Sequence, residues 1–201
     1  MSTFVFRHLM IGLVAVAALT VILPDSVHAR EGSRTKRPSG GIVTKKAPKW
    51  EVESWSNLPK GKKKLDVRDF RGKVVYLYCF QARCPGCHST GFPTLKKVKE
   101  AFKNDGNVAF VTMQTVFEGF HVNTKENGLA TLRKFALDLP MAMSGSPEKR
   151  STIMSWYRTR GTPWTVIIGP DGKVAWNGFH IRPEEAVALI RKLAPKSNRK
   201  R

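Results

Sequence analysis

Cysteine is scarce in this sequence, which holds three: Cys79, Cys84 and Cys87. Three cysteines cannot form the disulfide framework that stabilises small secreted domains. The chain is nevertheless long enough for one domain with a hydrophobic core of its own. We therefore interpret the closely spaced pair, Cys84 and Cys87, as functional rather than structural.

Acidic residues are also few, with 15 Asp and Glu against 35 Lys and Arg and a net charge of +20. The excess is concentrated in an arm at residues 30–48, a loop at 60–64 and a tail at 195–201. Charge runs of this kind are commonly solvated ends. The alternative is weak attraction to an anionic membrane surface or to acidic partner proteins. Nucleic acid is not expected as a partner, because the arm lacks interleaved aromatic residues.

The apolar run at residues 9–23 is too short for a membrane span, since it holds about 15 residues and a span needs about 20. It follows Arg7 and His8 and precedes Val27-His28-Ala29, a small-x-small cleavage pattern. We interpret residues 1–29 as an export signal peptide. The protein is then expected in the periplasm, where disulfides persist. An uncleaved N-terminal anchor is the alternative.

The main motif that is present is Cys84-Pro85-Gly86-Cys87. An apolar run, Val74–Phe80, precedes it and predicts a central strand buried on both faces. After it, apolar residues recur at spacings of three and four over 90–103 and predict a helix. Two cysteines separated by two residues at a strand-to-helix junction indicate a dithiol/disulfide redox site.

The predicted helix start gives the two cysteines different roles. Cys84 is expected at the N-cap and Pro85 at the first helical position, where its missing N–H is no loss. The amides of Gly86 and Cys87 then point towards the Cys84 sulfur. These amides, the helix dipole and adjacent Arg83 all favour the thiolate. Cys84 is therefore the candidate nucleophile and Cys87 the resolving thiol.

The rest of the chain alternates between strand and helix patterns. This alternation predicts an α/β sheet with helices on both faces, in a domain at residues 49–194. Strands are predicted at 50–55, 108–113, 140–143, 165–168 and 173–176, and helices at 125–137, 152–158 and from Pro183.

These features together resemble the thioredoxin-like fold, and within it the exported TlpA/ResA-like thiol-disulfide oxidoreductases of the redoxin family. The resemblance is carried by the cysteine motif, by Arg71-Gly72-Lys73 before the central strand, by Gly161-Thr162-Pro163 and by Pro170-Asp171-Gly172. It implies an N-terminal β-hairpin and a central strand–helix insertion at 114–146.

The resemblance also implies a substrate groove. In the family, a cis-proline lies against the disulfide, and here the Thr162–Pro163 bond is the one expected to be cis. Pro163 would position the substrate backbone. Trp164 would line the groove together with Thr162, with a packed strand aromatic as the alternative. Pro85 and Gly86 are the groove residues expected from the motif itself.

The sequence departs from the family at four positions. Tyr78 stands where thioredoxins carry a buried acid, and Thr90 replaces the acid three residues after the second cysteine. The helix proline, Pro93, is one position late, and Arg83 replaces the usual tryptophan. These departures leave the direction of electron flow open.

The predicted function is exchange of disulfides in exported proteins, with a further redox partner and with no cofactor or metal beyond the Cys84–Cys87 disulfide. A copper or other metal chaperone using Cys79 and His88 with the pair is the alternative. A c-type cytochrome maturation reductant and a binding module with a vestigial dithiol also remain. Haem attachment at C-x-x-C-H lacks its structural context. A peroxidase is disfavoured, because Gln81 stands where peroxiredoxins place Thr or Ser.

Overall fold

A computed structural model describes residues 41–195 of the chain. The predicted signal peptide, the first part of the basic arm and residues 196–201 lie outside this range. Within the described range, no helix is both long and apolar enough to cross a membrane.

A six-stranded sheet with the order β1-β4-β3-β2-β5-β6 forms the centre of the domain. Strands β2, β3 and β4 run parallel, whereas β1, β5 and β6 pair antiparallel to their neighbours. The strands are β1 (Ser54–Ser56), β2 (Val74–Phe80), β3 (Val108–Thr115), β4 (Met141–Ser144), β5 (Trp164–Ile168) and β6 (Val174–Gly178).

Strand β2 is the central strand predicted from the apolar run, and all seven of its residues are buried. Its alternate residues enter two separate cores, because successive strand side chains point to opposite faces. Tyr76 and Tyr78 lie in the first core, and Leu77 and Cys79 in the second.

Helices cover both faces of the sheet, as predicted. They are α1 (Phe92–Ala101), α2 (Lys125–Lys134), α3 (Thr152–Tyr157) and α4 (Pro183–Leu193). The first core receives apolar residues of α1, α2 and α4, and the second receives those of α3 and of the chain before β2. Burying a side chain such as Leu95 of α1 contributes about 1.5–3 kcal/mol to folding.

The insertion predicted at 114–146 contains α2 and β4. Strand β4 lies parallel to β3, so α2 makes the crossover between them. Strands β2 and β3 are also parallel, so their carboxyl ends lie at the same edge of the sheet. The chain after β2 carries the cysteine motif to that edge.

Two predictions about the N-terminal part of the domain need correction. In place of an N-terminal hairpin, β1 pairs antiparallel with β4. The side of β4 that faces away from β3 would otherwise have unpaired backbone groups. The basic arm was predicted to extend to residue 48, but Thr44 and Ala47 donate backbone hydrogen bonds to Val174 and Gly172. A basic composition does not prevent backbone pairing with an edge strand, so the domain begins before residue 49.

Candidate active site

Cys84 lies directly before the first helical residue, Pro85, as the sequence predicted. The backbone N–H of Cys87 donates to Cys84 Sγ at 3.1 Å. Cys84 Sγ in turn lies 3.5 Å from the carbonyl oxygen of Thr162. The sulfur is thus held between the helix start and the loop before β5, and its side chain is partly exposed.

Cys87 differs sharply from Cys84 in its surroundings, since it is 0 % exposed and belongs to the first core. Burial is the main cause that raises the pKa of the Cys87 thiol to about 12, and the neighbouring Cys84 adds to the effect. Both thiols are free in this structure. An external reagent can therefore reach Cys84 but not Cys87.

The turn that follows Cys84 is wider than an α-helix. Cys87–Gly91 forms a π-helix, in which the N–H of Phe92 bonds to the carbonyl of Cys87. The sequence predicted a regular helix here. Pro93 gives a physical reason for the difference, because a proline lacks an N–H and its ring collides with the carbonyl four residues earlier in a regular helix. Single π turns are frequent at functional sites.

The Thr162–Pro163 peptide bond is cis, as predicted. Pro163 is buried and faces the motif, since a Cβ atom built on Gly86 would lie 3.3 Å from Pro163 Cδ. The absence of a side chain at Gly86 thus allows the cis-proline loop to approach the helix start closely.

A groove of about 990 Å³ opens above Cys84. Of the predicted site residues, it is lined by Arg83, Cys84, Pro85, Gly86, Thr162 and Pro163. Further lining residues include Phe117, Glu118, Arg160, Phe179 and His180.

Trp164 corrects one prediction, because it is 1 % exposed and packs in the second core instead of lining the groove. Its Nε1 donates to the buried Asn177 Oδ1 at 2.6 Å. The strand alternation decides this placement: a residue of β5 that enters the second core cannot also face the substrate side.

Two phenylalanines in the groove had no role in the sequence interpretation. Phe117 is 40 % exposed and Phe179 is 55 % exposed, and both line the same groove as Cys84. Phe179 also forms an edge-to-face pair with the Trp164 ring, with centroids 6.4 Å apart. Their exposure follows from loop positions after β3 and β6, which periodicity does not reveal.

Two buried amides hold the groove wall in place and were also missed. Asn123 accepts from the backbone N–H of Arg83 at 3.0 Å and donates to the carbonyl of Glu118 at 3.0 Å. Gln81 accepts from the backbone N–H of Phe117 at 3.2 Å. The loop after β3 is thereby connected to the segment that carries the cysteine motif.

Cys79 and His88 do not join the cysteine pair in one cluster. Cys79 lies in the second core, whereas Cys87 lies in the first. The His88 Nε2 lies 2.6 Å from the Ala82 carbonyl, to which it can only donate. In residues 41–195, no group of three or more His, Cys, Asp or Glu side chains is placed to hold a metal ion.

Comparison with known protein families assigns the chain to one of them. Residues 43–177 match the AhpC/TSA family. The chain belongs to the AhpC/TSA family. The match covers the cysteine motif, the π-helix, the cis-proline loop and the strands that hold them. No curated protein sequence matches the chain.

Solved structures extend the comparison for this AhpC/TSA member. A thioredoxin-like superfamily protein, SPOA0173, is 29 % identical with a TM-score of 0.67, covering 77 % of this chain and 100 % of its own. A thiol-disulfide isomerase from Corynebacterium glutamicum is 26 % identical with a TM-score of 0.62, covering 75 % and 98 %.

A secreted disulfide oxidoreductase from Mycobacterium tuberculosis is more distant, at 19 % identity and a TM-score of 0.51, covering 64 % of this chain and 88 % of its own. This likeness concerns the fold alone. Taken together, the family and the closer structures confirm the predicted thioredoxin-like fold. The chain is an oxidoreductase of the thiol-disulfide type.

Proposed function

We propose that this oxidoreductase exchanges disulfides in exported proteins through a mixed disulfide at Cys84, which Cys87 then resolves. The observation that carries this proposal is the pairing of the two sulfurs at the helix start. Cys84 is accessible and accepts the Cys87 N–H at 3.1 Å, while Cys87 is buried directly behind it. The helix start directs the Cys87 N–H at the Cys84 sulfur, and Arg83 lines the same groove.

The exchange proceeds in two balanced steps. In the reducing direction, the Cys84 thiolate attacks a substrate disulfide, an S–S bond forms to Cys84, and the other substrate sulfur leaves as a thiolate that takes up a proton. The deprotonated Cys87 then attacks Cys84 Sγ, and the bound substrate sulfur leaves. Two electrons pass to the substrate, and a dithiol partner protein returns them. The reverse sequence oxidises a substrate dithiol.

The groove favours a protein segment over a small molecule as substrate. Exposed apolar patches commonly mark sites of protein interaction, and the exposed Phe117 and Phe179 line the same groove as Cys84. Pro163 and the neighbouring Thr162 would position the substrate backbone beside the sulfur. Pro85 and Gly86 form the adjoining wall.

An exported location is supported by the sequence of residues 1–29 and is part of the proposal. The relative from Mycobacterium tuberculosis is described as secreted, which agrees with such a location. The substrates would then be thiols and disulfides of exported proteins. Weak contact of the basic arm with anionic lipid is a further proposal that follows from its charge.

The engagement of Gln81 argues against a peroxidase. Gln81 stands where peroxiredoxins place Thr or Ser, and the Oε1 of its buried side chain accepts from the backbone N–H of Phe117. No step of the proposed exchange uses a metal or a cofactor other than the Cys84–Cys87 disulfide.

Substitution of each cysteine tests the proposal. We expect Cys87→Ser to accumulate covalent complexes with substrate proteins, visible as bands on non-reducing gels that dithiothreitol removes. Cys84→Ser should trap few, because the remaining thiol of the pair is buried. Cys79→Ser serves as the control and should retain exchange, since Cys79 lies in the second core.

Other outcomes would contradict the assignment. Trapping by Cys84→Ser would give the nucleophilic role to Cys87. Loss of exchange in a folded Cys79→Ser protein, together with metal bound by the reduced wild type, would favour the metal chaperone.

A further inference from the structure

The hydroxyl of Tyr78 is a buried polar group that the proposed exchange has not yet used. Tyr78 is 1 % exposed, and among the described residues its hydroxyl has no hydrogen-bond partner. Buried hydroxyls are normally hydrogen-bonded, because burial without a partner loses the bonds made to water. An orphaned hydroxyl in a well-packed core therefore requires an explanation.

The ring of Tyr78 is held in one orientation. It stacks on Phe80 with centroids 6.1 Å apart and meets Phe92 edge-on at 5.1 Å. A Cβ atom built on Gly91 would lie 1.9 Å from Tyr78 Oη and 2.9 Å from Pro163 Cβ. The hydroxyl thus lies where the π-helix, which begins at Cys87, meets the cis-proline loop.

Cys87 shares this environment. Cys87 lies in the same core as Tyr78, and its presence there makes the Tyr78 hydroxyl ionise less readily. Burial first, and the neighbouring Cys87 second, raise the pKa of Tyr78 well above its usual value of 10.0. A phenol in this state keeps its proton at neutral pH, so it can donate a hydrogen bond but cannot act as a base.

We propose that Tyr78 is a further catalytic residue, whose hydroxyl donates a hydrogen bond to the sulfur of Cys87 as that sulfur becomes a thiolate. The proposal rests on the function proposed above and concerns only its second step. In that step the Cys87 thiolate forms the S–S bond to Cys84, the Cys84–substrate bond breaks, and the substrate leaves as a thiolate. The proton of Cys87 goes to water, while Tyr78 keeps its own.

Single-turnover kinetics of the full, reduced chain with 5,5′-dithiobis(2-nitrobenzoate) separate the two steps. The first release of thionitrobenzoate reports capture at Cys84, and the second, unimolecular release reports attack by Cys87. For Tyr78→Phe we expect the second phase to slow by roughly ten- to hundredfold, the range for one hydrogen bond to a charged group. The pH at which the rate of the second phase rises should move upwards in this variant, and the rate of the first phase should not change.

Tyr76→Phe is the matched control. Tyr76 lies on the same face of the same strand and is also buried, but its hydroxyl lies 3.3 Å from Thr165 Oγ1. We expect both phases of this variant to match the wild type.

Several results would overturn the role of Tyr78. These are a second phase that is unchanged in Tyr78→Phe, equal slowing in both tyrosine variants, or slowing without a shift of the pH profile. A Tm of Tyr78→Phe well below that of the wild type would show that the hydroxyl is bonded in the resting fold, against the premise. Absence of the capture phase in the wild type would instead contradict the proposed function itself.

Discussion

Asn123 is the residue that connects the groove wall to the cysteine motif, through bonds to the Arg83 N–H and the Glu118 carbonyl. Its side chain is buried, so its loss leaves two backbone groups without partners. We expect Asn123→Ala to lower the free energy of unfolding by about 1–3 kcal/mol and to slow exchange with protein substrates. Urea unfolding and a turbidity assay of insulin reduction measure the two effects.

The exposed Asn104 offers a control for this substitution, and Asn104→Ala should change neither quantity. If Asn123→Ala kept both the stability and the rate of the wild type, the loop after β3 would not depend on this side chain.

Cys79 makes a pH-dependent contribution to stability. Burial raises the pKa of its thiol from 9.0 to about 12. Because the unfolded chain loses this proton first, the contribution is complete below about pH 9 and is lost as the pH rises towards 12. We expect the free energy of unfolding to fall by up to about 1.4 kcal/mol per pH unit for each such thiol.

Cys79→Ala should therefore show a shallower decline than the wild type when urea unfolding is followed with reductant at pH 8, 9 and 10. Parallel curves for the two proteins would mean that Cys79 ionises as readily in the folded chain as in the unfolded one.

At the scale of single elements, the π-helix Cys87–Gly91 depends on the missing side chain of Gly91. Replacing glycine by alanine inside a helix usually stabilises it by up to about 1 kcal/mol. Here the new Cβ would lie 1.9 Å from Tyr78 Oη and 2.9 Å from Pro163 Cβ. We expect Gly91→Ala to destabilise the protein by about 1–3 kcal/mol, as overpacking of a core does.

Gly106 provides the comparison, since a Cβ atom built there meets nothing within 4 Å. Thermal unfolding should give Gly106→Ala a Tm near that of the wild type and Gly91→Ala a clearly lower one. Equal Tm values would show that the π-helix and the cis-proline loop can move apart to accommodate the new Cβ atom without a loss of stability.

At the scale of the whole molecule, the net charge of +20 should select among substrates. Arg83 and Arg160 lie in the groove with Cys84, so the excess charge extends to the site itself. We expect an oxidised acidic peptide to react about tenfold faster than a basic peptide of equal length at low salt. Roughly 0.5 M NaCl should reduce this ratio by screening.

Arg83→Ala and Arg160→Ala should each lower the ratio, whereas Arg71→Ala, which is exposed away from this groove, should not. A ratio near one at low salt, or one that salt leaves unchanged, would show that charge has no part in substrate choice.

The sequence by itself determined the features that depend on neighbouring residues. The buried strand Val74–Phe80, the position of Cys84 before Pro85 and the location of the cis bond were all predicted correctly. Each is set by local pattern: an apolar run, a proline suited to the first helical turn, and a proline as the residue that permits a cis peptide.

Only the tertiary structure decided which distant residues meet at the site. Trp164 enters the second core, where the distant Asn177 accepts from its indole, and Tyr78 reaches the π-helix that begins at Cys87 because Gly91 leaves room. Residues 44–47 join the domain because β6 offers an unpaired edge. These outcomes depend on contacts between segments far apart in the chain, for which periodicity and composition carry no signal.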